Sequence, residues 1–95
     1  MDPIIMDAKK TLCSIQLVNE LPVLRVRLDL SQEEVADRIG ISRQTYNSIE
    51  SKRRSVTWTT CIALITFFAS SEKTKKMMEN GSVLLELLPE ILLGE

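Results

Sequence analysis

The clearest periodicity lies in the middle of the chain. Val35, Ala36 and Ile39 fall three and four residues apart, and beyond a break at Gly40 the spacing resumes with Tyr46 and Ile49. This predicts two short helices, 32–39 and 43–51. Ser31-Gln32-Glu33-Glu34 reads as a capping box, in which the Ser31 hydroxyl accepts from the Glu34 backbone N–H and Glu34 reaches back. Gly40 supplies the left-handed conformation that stops the first helix, and Ser42 caps the second. Two helices separated by about three residues with a glycine between them must cross at a steep angle.

The flanks are also helical in pattern. Asp2 can cap a helix over 3–18 with Pro3 at its first position and Ile5, Ala8, Leu12 and Ile15 on one side, although the β-branched residues at its start also suit a short strand. Asn19 can cap a second helix over 20–28 that tolerates Pro22 in its first turn, and Asp29-Leu30 is a turn. After the loop 52–56, Thr57 caps a helix over 58–69 whose apolar positions cover two sides. Ser71 caps another over 72–79, ended by Asn80-Gly81. Ser82 opens an apolar tail. There Leu84, Leu87, Leu88, Ile91 and Leu92 form a stripe, with a kink expected at Pro89. That stripe needs cover, either against residues 58–69 or from a second copy of the chain. The expected organisation is all-α, a compact bundle of five to six short helices. It divides into an N-terminal helical extension (1–19), a central domain (20–81) and a C-terminal apolar helix (82–95).

Composition narrows the chemistry. Ninety-five residues fit one domain with a modest core. Histidine is absent, which removes the commonest general base and the commonest metal ligand. Cys13 and Cys61 have no metal-binding spacing and read as buried thiols. No enzyme activity, metal or cofactor is expected. The N-terminus lacks a basic stretch before an apolar one, and the longest apolar run, 61–69, is too short for a bilayer, so a cytoplasmic protein without a membrane role is expected. Net charge is −1, yet residues 43–54 carry Arg43, Lys52, Arg53 and Arg54 against Glu50 alone, whereas residues 82–95 carry three glutamates and no cation. The positive charge therefore collects on and after the second helix of the central pair.

That pair meets a demanding set of constraints. Counted from Gln32, the fifth position is small (Ala36) and the ninth is glycine (Gly40). Positions four, eight, ten, fifteen and eighteen are apolar: Val35, Ile39, Ile41, Tyr46 and Ile49. The run from Leu30 to Thr45 resembles the Cro/lambda-repressor (XRE) family of helix-turn-helix regulators. The similarity extends from about Leu21 to Phe68 and is most specific between Leu30 and Glu50. It implies a lambda-repressor-like domain that binds operator DNA, commonly as a homodimer, with 43–51 as the recognition helix.

Recognition helices enter the major groove N-terminus first, which favours Arg43 for guanine and Gln44 for adenine. The resemblance places Ser48 on bases as well. Asn47, one turn beyond Arg43, suits a base or a phosphate, and Thr45 a phosphate or a thymine methyl. Gln32, at a helix N-terminus, suits a phosphate, and the resemblance adds that it braces the recognition helix. Lys52, Arg53 and Arg54 are expected on phosphates. The resemblance also pairs Arg25 with Glu50 as a structural ion pair. The chain departs from the family at Asp29, where glycine is usual, and at Ser51-Lys52, which replaces a frequent Asn-Gly. The function expected is a sequence-specific transcriptional regulator, a repressor acting on double-stranded DNA as a homodimer. The alternative is an antitoxin or interaction module of the same fold that holds a small protein partner and also binds its own promoter.

Overall fold

The computed structural model describes residues 2–81 and 84–94, and among them every regular element is helical. The order is α1 (Pro3–Arg27), α2 (Gln32–Ile39), α3 (Arg43–Glu50), α4 (Trp58–Ala69), α5 (Glu72–Gly81) and α6 (Leu84–Leu93). The 25-residue α1 is the spine against which α3, α4, α5 and α6 all pack, while α2 bridges α3 and α4.

The break expected between residues 18 and 20 is absent. One helix runs from Pro3 to Arg27 with Pro22 inside it. Asn19 is exposed and caps nothing. Proline removes one backbone donor, but Cys13, Leu17, Leu21 and Leu24 are all buried on the same face, and that shared burial keeps the helix continuous across the defect. The residues expected on one side of this helix, Ile5, Ala8, Leu12 and Ile15, do share a face, but that face points outward, because the set that meets the bundle is Met6, Cys13, Leu17 and Leu21.

The termini of the shorter helices follow the sequence closely. Asp2 accepts from the Ile4 N–H at 2.8 Å at the start of α1. Ser31 and Glu34 exchange both bonds of the capping box at 3.0 Å. Gly40 ends α2 at φ 82°, where a side chain would strain the backbone. Ser42 and Thr57 cap α3 and α4 through the N–H groups of Thr45 and Thr60. Replacing Ser31 with alanine removes one half of the box and should lower the unfolding free energy by about 1 kcal/mol. Chemical denaturation reads this directly, and an unchanged midpoint would show that the box does not bear on stability.

The core joins the inner face of α1 to Val35, Ala36, Tyr46, Ile49, Cys61, Leu64, Ile65, Phe68 and Met78. Both cysteines are free and fully buried where α1 meets α4. The hydrogen bond between them, together with burial, pushes the Cys13 thiol far up. The C-terminal stripe is covered from within the chain, chiefly by α1 and α5 rather than by α4 as expected. Leu84 and Ile91 are buried, Leu87 and Leu88 are half-buried, and Lys9 of α1 holds Glu90 at 2.7 Å. Leu92 and Leu93 remain exposed. The expected opening of this tail at Ser82 and Val83 lies outside the described residues.

Candidate nucleic-acid interface

Ala36 and Tyr46 are fully buried where α2 and α3 pack together, so the two helices meet closely and hold each other rigid. Of α3, Tyr46 and Ile49 face inward, while Arg43 and Gln44 at its first turn are exposed. The Gln44 amide makes no side-chain hydrogen bond among the described residues. Arg43 has only a long contact, 4.0 Å to the Glu33 carboxylate, and both side chains are more than three-fifths exposed. A pair of that exposure contributes little and leaves the guanidinium available.

Behind this free edge, polar side chains are tied together. The Asn47 amide donates to Gln32 Oε1 at 2.8 Å, and Arg53 donates to Asn47 Oδ1 at 2.5 Å. One chain of bonds thus links the first residue of α2, the middle of α3 and the loop that follows. Sequence reasoning gave Asn47 a base or a phosphate to contact, but its amide already holds two partners within the protein. Thr45 is likewise engaged. Its hydroxyl accepts from Ser42 Oγ at 2.9 Å and from Arg54 at 3.3 Å. Ser48 is half-buried, and its carbonyl accepts the N–H groups of Arg53 and Arg54, which closes the loop against the end of α3.

The two departures from the family pattern now have a geometry. Asp29 takes φ 54° and Lys52 takes φ 66°, the left-handed region in which glycine or asparagine is usual. Neither residue breaks the turn. The backbone stays left-handed because the surrounding carbonyls are satisfied: Asp29 N–H donates to Val26 and Lys52 N–H to Ile49. Lys52, Arg53 and Arg54 are all exposed beside α3.

The inner support of α3 is electrostatic as well as apolar. Arg25 of α1 grips Glu50 through two parallel bonds, Nε at 3.1 Å and NH2 at 2.8 Å, and donates a third to the Leu30 carbonyl at 3.0 Å. The side chains are 18% and 7% exposed. The hydrogen bond to Glu50 raises the Arg25 guanidinium above its ordinary value. Burial alone would push the Glu50 carboxyl up, but Arg25 overcomes this and holds it below the usual carboxylate range. Burial and the nearby Glu50 carboxylate push the Tyr46 phenol up. Its hydroxyl is buried beside the pair.

Sequence reasoning missed one feature. A groove of about 700 Å³ runs between α1 and the loop after α3, lined by Lys10, Ser14, Lys52, Arg54 and Trp58 among others, with the Lys10 ammonium 5.6 Å from the Trp58 ring centre. Only the tertiary fold brings residue 10 beside residue 58, and no local pattern announces it. No group of three or more metal-ligating side chains occurs among the described residues, and no helix there is long and apolar enough to cross a membrane.

Two short helices crossed at a tight turn, the second held from behind and bare along its leading edge, define a DNA-binding helix-turn-helix domain. Comparison with known families agrees. Residues 24–73 match the helix-turn-helix family, and the chain belongs to it, in the Cro/lambda-repressor (XRE) group. No curated protein and no solved structure matches the chain.

Proposed function

We propose that this chain is a sequence-specific transcriptional repressor that docks α3 in the major groove of operator DNA and binds as a homodimer. The observation that carries the reading is the division of labour on α3. Arg43 and Gln44 are exposed and uncommitted at its N-terminal turn, while Tyr46, Ile49 and Glu50 fix its other side. In this reading Arg43 and Gln44 meet base edges, with Ser48 behind them. Lys52, Arg53 and Arg54 meet phosphates, and Gln32 adds a phosphate contact at the N-terminus of α2. Asn47 acts chiefly as the link that positions Gln32 and Arg53. Repression follows from occlusion of a promoter.

Selection of random duplexes on the purified protein, followed by sequencing, tests the reading. Survivors should converge on a two-fold symmetric sequence with half-sites about 34 Å apart, one helical turn. A pool that shows no enriched sequence after repeated rounds would reject sequence-specific regulation.

A further inference from the structure

We propose that the outward face of α1 is the interface between two copies of this chain, with the two helices paired antiparallel about Leu12 and Ile15. Ile5, Leu12, Ile15, Val23 and Val26 are 51%, 50%, 56%, 60% and 62% exposed, although they lie on one long, well-formed helix. Ile5, Ala8, Leu12, Ile15, Asn19, Pro22 and Val26 follow one another at alternating steps of three and four residues, the spacing of a coiled-coil seam. The buried residues Cys13, Leu17, Leu21 and Leu24 occupy the opposite side of the same helix, so the seam faces away from the bundle. Exposed aliphatic surface of this extent, on the order of several hundred Å², is what a soluble chain covers with a partner. A second copy supplies a matching strip, and two strips of several hundred Å² together approach the roughly 1,000 Å² of total buried surface at which weak, reversible complexes form.

The flanks of the seam admit self-pairing. Thr11, Gln16 and Val18 beside it are uncharged, and the Lys9 ammonium is already held by Glu90. Within α1 no like-charged pair therefore opposes two copies along its centre, and the positive charge of Lys52 and Arg54 reaches its edge in the groove that Ile15 and Asn19 also line. The C-terminal stripe offers a smaller surface, because its Leu84 and Ile91 are buried within the chain while Leu92 and Leu93 remain exposed.

The antiparallel arrangement follows from the register. Centred between residues 12 and 15, it stacks Leu12 on Ile15 of the second copy twice, places the small Ala8 against Asn19, and sets Ile5 on Pro22. Arg25 marks where α3 meets α1. In this register the two Arg25 positions lie about 34 Å apart along the helices at 1.5 Å per residue. That separation, between the Glu50 ends of the two α3 helices, is of the order of one turn of duplex DNA. Arg25 also sits about a quarter of a turn round α1 from the seam, at 100° per residue. Both recognition helices then lie on the side toward which the two-fold axis of an antiparallel pair points. The spacing argument rests on the DNA-binding function proposed above, whereas the seam itself does not.

Sedimentation equilibrium of the full chain without DNA tests the seam. The wild type should dimerise below about 100 µM. The Leu12→Glu/Ile15→Glu variant should dimerise at least about 30-fold more weakly, with unchanged far-UV circular dichroism, because both sites are solvent-facing. A wild type that stays monomeric at that concentration, or a variant that dimerises equally well, would overturn the proposal. Orientation is read by oxidative cross-linking. Ile5→Cys/Pro22→Cys should give a covalent dimer and Ile5→Cys alone should not. A covalent dimer from Ile5→Cys alone would overturn the antiparallel arrangement. On DNA, the Leu12→Glu/Ile15→Glu variant should bind a single half-site as the wild type does and lose the extra affinity for two half-sites one turn apart. A chain that dimerises through the seam yet binds no DNA would remove the function proposed above and leave the interface standing.

Discussion

Replacing Glu50 with alanine should lower the unfolding free energy by about 3–5 kcal/mol, the usual cost of stranding one member of a buried ion pair. A domain of this size has about 5–15 kcal/mol in total, so the variant should lose a large share of its stability. The cost is high because Arg25 loses two of its three bonds and keeps only the Leu30 carbonyl. Its guanidinium is mostly withdrawn from water and cannot recover full hydration in place. The buried Tyr46 hydroxyl lies against the same spot, so the substitution also takes the carboxylate from beside a second polar group. Urea unfolding measures the effect. A loss below about 1 kcal/mol would mean that the pair is as weak as a surface contact. The double variant Arg25→Met/Glu50→Leu should recover much of the loss, since it removes both charges at once.

The same pair makes stability depend on acid. Arg25 holds the folded-state carboxyl of Glu50 below its ordinary value near 4.5. The folded form therefore binds that proton less readily than the unfolded chain does, and the contribution is fully present above the unfolded value. It is lost as pH falls from about 4.5 through the lower folded value. Urea midpoints measured from neutral pH into this range should fall for the wild type and fall less steeply for Glu50→Ala. Equal slopes in the two proteins would assign the acid sensitivity to other carboxyls.

How much of this was legible in advance varies with the kind of signal. Caps and turns are local chemistry. Ser31 with Glu34, Gly40, Ser42 and Thr57 each marked a boundary, because each satisfies backbone groups within a few residues of itself. The Arg25–Glu50 pair came from family resemblance and is present as expected. The errors concern α1, where distant contacts decided the outcome. Two apolar stripes run along α1, and the sequence contains nothing that says which one meets the bundle. The structure buries Cys13 and Leu17 and leaves Leu12 and Ile15 outside because Cys61 and its neighbours on α4 lie on that side. Pro22 looked like the start of a helix, and only the burial of Leu17, Leu21 and Leu24 on one face explains why the helix runs through it. The bonds of Asn47 to Gln32 and Arg53 were not legible either, because only the packing of α2 and the path of the following loop bring those side chains within reach of its amide.

Alanine at Gln44 should separate recognition from simple attraction to DNA. A well-placed bidentate contact between a side chain and a base edge contributes about 1–3 kcal/mol of discrimination. Gln44→Ala should therefore reduce the preference for operator over random duplex by roughly 5- to 150-fold, while binding to random DNA changes little. Nothing inside the protein depends on this side chain, since it is exposed and makes no hydrogen bond among the described residues, so the fold should be unaffected. Arg53→Ala makes the contrast. It should weaken operator and random DNA alike and reduce the salt dependence of binding by about one unit, as expected of a lost phosphate contact. The interior role of Arg53 adds a further expectation. Its bond to Asn47 steadies the link to Gln32, so the uniform loss should exceed that of Lys52→Ala, which shares the charge but makes no such side-chain bond. Fluorescence anisotropy on matched operator and scrambled duplexes, across a range of salt, measures all three variants. If Gln44→Ala and Arg53→Ala lowered operator preference equally, the assignment of α3's leading edge to base reading would fail.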